Sequence, residues 1–326
     1  MKWLHVLLIF FLVSLSLYAQ NPEWVNYTDS NSDLPINAVN SLAIDDSGNK
    51  WIGTNGGLAK FDGTTWAVYN SSYSDLPGNH VASIAIDGSG TKWIGAWGDG
   101  LAIFDGKNWT VYTSSNSGLA DNYVRAIAID GSGNKWIGTD SGLTKYDGTN
   151  WTVYTPSNSG LPFGYVKSIA IDNSGTKWIG TEGGLAKYDG TNWTAYTTSN
   201  SGLPSDTVNS LAIDASGNKW IGTYGGLAKF DGTNWTVYTA SNSDLPENRV
   251  YSIAIDGSGV KWIGTYEGLA KYDGTNWTVY TTSNSGLPDY TIWSITIDDS
   301  GNKWIGTYEG GLAVYKEGGV VSVKGR

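Results

Sequence analysis

Apolar and polar positions alternate in short runs along nearly the whole chain, and the runs recur in a fixed order. Residues 250–256 (V-Y-S-I-A-I-D) alternate β-branched with small or polar side chains, the pattern of a half-buried strand. A Gly257-Ser258-Gly259 turn follows, then K-W-I-G-T from Lys261 to Thr265, a turn at Tyr266-Glu267-Gly268, and L-A-K-Y from Leu269 to Tyr272. Asp273-Gly274-Thr275-Asn276 carries the Asp-Gly signal of a tight hairpin. W-T-V-Y-T from Trp277 to Thr281 completes a set of four strands, a to d, and S-N-S-G-L-P leads to the next set. No segment beyond residue 20 sustains a 3.6-residue period, so no helix is expected there.

Two tryptophan series measure the repeat. One lies in K-W-I-G, from Trp51 to Trp304, and the other in W-x-x-Y, from Trp24 to Trp277; each has seven members, 42 residues apart except for one step of 43 near Trp97-Gly98-Asp99-Gly100. A period of about 40–45 residues with four strands is that of a propeller blade. A d-type strand, Trp24–Tyr27, precedes the first strand a, and no tryptophan-bearing d strand follows Leu312–Tyr315. The chain therefore reads as an all-β, seven-bladed β-propeller of four-stranded antiparallel blades. The N-terminal strand is expected to complete the last blade; Val320–Val323 is the weaker competitor for that place, and an open solenoid is the alternative architecture.

Composition refines this picture at the ends. The first twenty residues begin Met1-Lys2, continue as an apolar run from Leu4 to Leu17 broken by His5 and two serines, and reach Tyr18-Ala19-Gln20. That is the pattern of a secretory signal peptide over residues 1–19, too short for a membrane span. Cleavage would leave a propeller over 20–316 and a tail or linker over 317–326. The mature chain is then expected to be secreted or periplasmic, monomeric and without a membrane span. There is no cysteine, so packing alone must hold the fold. The formal charge of −10 opposes a phosphate backbone, which argues against nucleic acid as a partner.

The repeated stretch V-x-S-I-A-I-D-x-S-G-N-K-W-I-G-T-x-x-G-L-A-K-Y-D resembles the two-component regulator propeller repeat over residues 24–315. That resemblance implies a propeller of the kind found in periplasmic sensor regions of bacterial hybrid histidine kinases and in stand-alone secreted proteins. This sequence contains no kinase module. The stretch Asp46-Ser47-Gly48-Asn49-Lys50-Trp51 also resembles the Asp-box hairpin of sialidases, where it is structural.

The copies differ from one another unevenly. The a-to-b turn varies only among small or polar residues (Asp46, Gly88, Gly131, Asn173, Ala215, Gly257, Asp299), and the c-to-d turn is nearly constant as D-G-T-N. The d-to-a and b-to-c loops vary far more, and in an up-and-down blade these two share one face. Eleven aromatics outside the repeated slots fall there or at the start of strand a, with four of the six glutamates. Aromatic faces interleaved with carboxylates suit sugar rings or peptide anchors. The candidate ligand-binding residues are Trp97, Tyr123, Arg125, Tyr165, Lys167, Glu182, Tyr224, Arg249, Tyr251, Tyr266, Glu267, Trp293, Tyr308 and Glu309. The simpler alternative for any one of them is packing against the next blade. The expected partner is a glycan, a peptide or a protein.

The inventory for catalysis is thin. Beyond the leader there is one histidine, His80, and only three arginines, one of them Arg326 in the tail. Multi-histidine metal sites, Ser-His-Asp triads and a sialidase-like arginine trio are therefore not expected, nor is a cofactor. A carbohydrate-active lyase or hydrolase using Glu267 and Glu309 is the enzymatic alternative, and a protein-docking scaffold is the third. The repeated Asn-Trp-Thr sequons at Asn108, Asn150, Asn192, Asn234 and Asn276 follow from the repeat itself.

Overall fold

The computed structural model describes residues 23–320; the expected leader, the end of the tail and most of the competing Val320–Val323 segment lie outside them. Twenty-eight strands, β1 to β28 in chain order, form seven four-stranded antiparallel sheets, and no helix occurs among the described residues. Blade 1 is β2 (Val39–Ile44), β3 (Lys50–Thr54), β4 (Gly57–Phe61) and β5 (Trp66–Tyr69), the strands a to d of the sequence. Blades 2 to 6 repeat it. Blade 7 consists of β26 (Ile292–Ile297), β27 (Lys303–Thr307) and β28 (Leu312–Tyr315), closed by β1 (Trp24–Tyr27). The closing pair runs antiparallel with Trp24 opposite Tyr315 and Tyr27 opposite Leu312, which covers the edge that β28 would otherwise expose.

Strand b explains the constancy of K-W-I-G-T. Both of its faces are covered, because each sheet packs between two others. Trp51 and Gly53 point to blade 2, where Trp51 packs with Val81, Ile84, Ile94 and Phe104. Ile52 points the other way and packs with Trp304, Leu312 and Val314 of blade 7. The glycine is required by close approach: a Cβ on Gly53 would lie 2.6 Å from Val81 Cγ1, and the same clash recurs at Gly222 against Val250. The lysine crosses to the preceding blade. Lys92 Nζ sits 4.6 Å from the Trp51 ring centroid and 3.9 Å from Asp45 Oδ2, and Lys177 stands 4.7 Å from the Trp136 ring. All seven b-strand lysines take this position over the preceding blade's tryptophan. Each such cation–π contact contributes about 0.5–2 kcal/mol.

Strand a ends one residue earlier than its sequence pattern implies, at Ile255 rather than Asp256, and strand d at Tyr280 rather than Thr281. The aspartate leaves the ladder because its carboxylate turns back. In blade 3, Asp130 accepts from Ser132 N and Asn134 N at 3.0 Å and from Trp136 Nε1 at 2.9 Å. In blade 1 the pinning residue is Asp45, which accepts from Trp51 Nε1 at 2.9 Å. Asp46, the acid of the Asp-box-like stretch, is exposed instead. The sequon asparagines are likewise structural: Asn108 Nδ2 donates to Asp105 Oδ2 within its hairpin at 3.0 Å.

Candidate functional site: the face of variable loops

Strand a is the innermost strand of each blade and packs against strand a of both neighbours. All seven copies carry a β-bulge near their first residue, for example between Val39 and Ser41 and between Val124 and Ala126. The skipped residues are Asn40, Ala82, Arg125, Lys167, Asn209, Tyr251 and Trp293. A bulge frees one residue from the ladder and re-aims its side chain. Here it frees one residue per blade at the end of the inner strand, of six types across the seven blades.

Two further positions join each bulge. In six blades the first residue of the b-to-c loop bonds to the residue preceding strand a, as in Trp97 N to His80 O at 2.8 Å, Glu182 N to Tyr165 O at 3.2 Å and Tyr266 N to Arg249 O at 3.1 Å. The two variable loops therefore emerge together on one face, as the up-and-down topology requires. Blade 2 adds its one extra residue in this place. Ala96 stands where other blades have threonine, Gly98 takes φ 84°, and Trp97 forms an isolated bridge to Tyr123 of blade 3. Only a residue without Cβ adopts that dihedral readily.

Across blades 2 to 6 the side chains connect into a ladder. His80 lies 4.5 Å from the Trp97 ring, and Arg125 lies between rings, 4.2 Å from Trp97 and 4.0 Å from Tyr165. The same guanidinium forms a two-bond pair with Asp140, with Nη2 to Oδ2 at 3.0 Å. Lys167 stands 5.6 Å from Tyr165 and 5.1 Å from Tyr224, and pairs with Glu182 at 3.4 Å. Tyr224 meets Tyr251 edge-on at 6.2 Å, and Arg249 covers Tyr266 at 3.7 Å while pairing with Glu247 at 3.3 Å.

Blades 6 and 7 continue with Tyr266 against Tyr290 at 5.9 Å and Trp293 against Tyr308 at 4.7 Å. Blade 1 interrupts the series. Its corresponding positions are Ala38, Asn40 and Asn55, and Asn40 Nδ2 donates to Asn55 Oδ1 at 2.9 Å and to Val81 O at 3.1 Å.

The electrostatics follow from this packing. Burial, with the Arg125 charge nearby, pushes His80 below its ordinary value, so it is neutral at pH 7. Burial raises Tyr165 to about 12 despite Arg125, and burial lowers Lys167 against the pull of Glu182. Each of the three cations on this face has a carboxylate partner. Glu267 and Glu309 are exposed, and neither carboxylate has a hydrogen-bond or ion-pair partner among the described residues.

Of the fourteen sequence candidates, the structure links Trp97, Tyr123, Arg125, Tyr165, Lys167, Glu182, Tyr224 and Tyr251 in one contact series, with Arg249–Tyr266 and Trp293–Tyr308 as adjoining pairs. Trp97, Tyr123, Tyr224 and Tyr308 keep 40–44% exposure. Tyr165, Tyr251, Tyr266 and Trp293 are half-buried. Tyr73, also on this face, is 88% exposed and has no ring contact among the described residues. Asp289 is not among the sequence candidates, and Tyr290 enters there only as one of the eleven nonrepeated aromatics. A signal existed in the loop position two residues before strand a. There Asn37, Asn79, Asn122, Asp206 and Asn248 each accept a loop backbone N–H at 2.7–2.9 Å, and tyrosine takes that place in blade 7.

Among the described residues no helix is long and apolar enough to cross a membrane, and no group of three or more His, Cys, Asp or Glu is placed to hold a metal ion. No protein-family model and no curated protein matches the chain. Solved structures do. The extracellular domain of a hybrid two-component system from B. thetaiotaomicron superposes with TM-score 0.80 at 26% identity over 90% of this chain, which spans 41% of that domain's length. Virginiamycin B lyase from Staphylococcus aureus matches with TM-score 0.72 at 13% identity, over 90% of this chain and 98% of that one. YCF48 bound to a peptide matches with TM-score 0.66 at 16% identity, over 91% and 97%. The last two likenesses are of fold alone. In architecture the chain matches the propellers of the extracellular domains of two-component systems.

Proposed function

We propose that this chain is an extracytoplasmic recognition module that binds a glycan or a peptide on the face built from the d-to-a and b-to-c loops. One observation carries the reading. Every blade has a bulge at the start of its innermost strand, and the seven freed residues are of six types (Asn twice, Ala, Arg, Lys, Tyr and Trp), while the opposite turns stay repetitive. A ligand without sevenfold symmetry needs such a face. The aromatic–cation ladder holds its own rings in place, so little side-chain entropy is lost on contact. Exposed aromatic faces beside carboxylates are the usual anchors of such sites.

The extracellular setting of the regulator domains supports an extracytoplasmic location, and a peptide-bound propeller of the same fold supports a peptide as ligand. The mature chain acts as a monomer, without nucleic acid. Arrays of oligosaccharides and of peptides probed with the purified chain test this. Binding by the wild type that falls at least tenfold in Tyr266→Ala and Tyr308→Ala supports the reading. Undiminished binding in both variants refutes it. Conversion of a polysaccharide that vanishes in Glu267→Gln would make the face an active site instead.

A further inference from the structure

The geometry points to a cation-binding subsite on blade 7, where this face takes a lysine or arginine side chain of a peptide. The inference rests on the proposed recognition face and names its ligand. The d-to-a loop entering blade 7 lacks the Asn or Asp that closes five others, and Tyr290 in its place is 50% exposed. A pocket of about 260 Å³ stays open there, lined by Thr282, Asp289, Tyr290, Tyr308 and Glu309 among others. Small-molecule sites usually exceed about 300 Å³, so this volume suits a single side chain.

Its chemistry selects for positive charge. Asp289 is 8% exposed, yet its carboxylate meets only two backbone donors, Thr291 N at 3.1 Å and Glu309 N at 2.6 Å. No cation lies within ion-pair distance of it among the described residues. Buried carboxylates are ordinarily paired. This one stands at the pocket wall beside the exposed carboxylate of Glu309, with the rings of Tyr290 and Tyr308 on the same lining. An ammonium or guanidinium entering there meets both carboxylates beside two aromatic side chains. Arg125, Lys167 and Arg249 are already matched with carboxylates, so nothing on this face favours an anionic ligand equally.

The test uses a fluorescein-labelled hexapeptide of alternating lysine and glycine, read by fluorescence anisotropy at 50 mM salt. Its ε-acetylated form is the matched neutral probe. The protein variants are Glu267→Gln with Glu309→Gln on the proposed face, and Asp46→Asn with Asp299→Asn on the opposite one. The two pairs remove the same charge, and all four side chains are exposed. The expected result is binding that weakens at least tenfold on acetylation and at least fivefold in the Glu pair, and less than twofold in the Asp pair. Equal weakening by both pairs means that only the overall negative field attracts the peptide, and overturns the subsite. So does binding that survives acetylation, or no binding of the lysine probe. A neutral-oligosaccharide array run on Tyr308→Ala separates the two levels. Oligosaccharide binding lost in that variant, with no lysine binding in the wild type, would keep the recognition face and discard the cation subsite.

Discussion

Replacing Asp130 by asparagine tests how the constant aspartate–tryptophan pair holds a blade. The wild-type carboxylate accepts from Trp136 Nε1 at 2.9 Å, from two backbone N–H groups at 3.0 Å and from Asn134 Nδ2, and it lies 3.5 Å from Lys177 of the next blade. Its side chain is 7% exposed. Asparagine keeps one oxygen for the backbone donors. Its amide nitrogen then faces the indole N–H and the lysine, donor against donor. A buried donor left without an acceptor costs about 1–3 kcal/mol. The lost partly buried ion pair adds roughly 0.5–1 kcal/mol. We expect a loss of about 2–3 kcal/mol at pH 7, read as the urea midpoint at unchanged slope.

The same residue gives a pH signature. Burial alone would raise the carboxyl, but the bonds from Trp136, Asn134 and the backbone overcome it and hold it at about 2. A depressed carboxyl contributes stability above its unfolded value near 3.9, and loses it as pH falls toward 2. Discounted for solvent screening, this pH-dependent share is about 1–2 kcal/mol. The gap between wild type and Asp130→Asn should therefore narrow by that amount between pH 5 and pH 2. A variant as stable as wild type at pH 7, or a gap that does not change with pH, would refute this account of the pair.

Three further outcomes follow from the packing. Gly222→Ala puts a methyl 2.6 Å from Val250 Cγ1 and should cost about 1–3 kcal/mol in thermal unfolding, although glycine-to-alanine usually favours order. Trp24→Ala removes a ring 4.5 Å from Tyr315 and 5.8 Å from Tyr280, so the amides of β28 should exchange faster than those of the equivalent strands in blades 2 to 6. Arg125→Ala leaves Trp97 and Tyr165 without the cation between them and Asp140 without its partner, and should diminish near-ultraviolet circular dichroism and lower stability by about 1–3 kcal/mol in urea unfolding.

The blades were legible in sequence because each is a local object. Alternation, Asp-Gly turns and a 42-residue tryptophan spacing are short-range signals, and counting them yields seven blades and the closure of Leu312–Tyr315 by Trp24–Tyr27. The shared face of the variable loops was legible too, since it needs only alternating strand direction. What sequence could not supply is contact between blades. That Lys177 lies over Trp136, or that Arg125 separates Trp97 from Tyr165, depends on how neighbouring sheets are rotated against each other. The bulge at the start of each inner strand is a register event between two strands and leaves no mark in either one alone. Asp289 shows the same division: in sequence it is one more loop acid, and only the folded loop buries its carboxylate against two backbone donors at the wall of a pocket. Periodicity along the chain determines the wheel, whereas the packing of one blade on the next decides which side chains meet on its face.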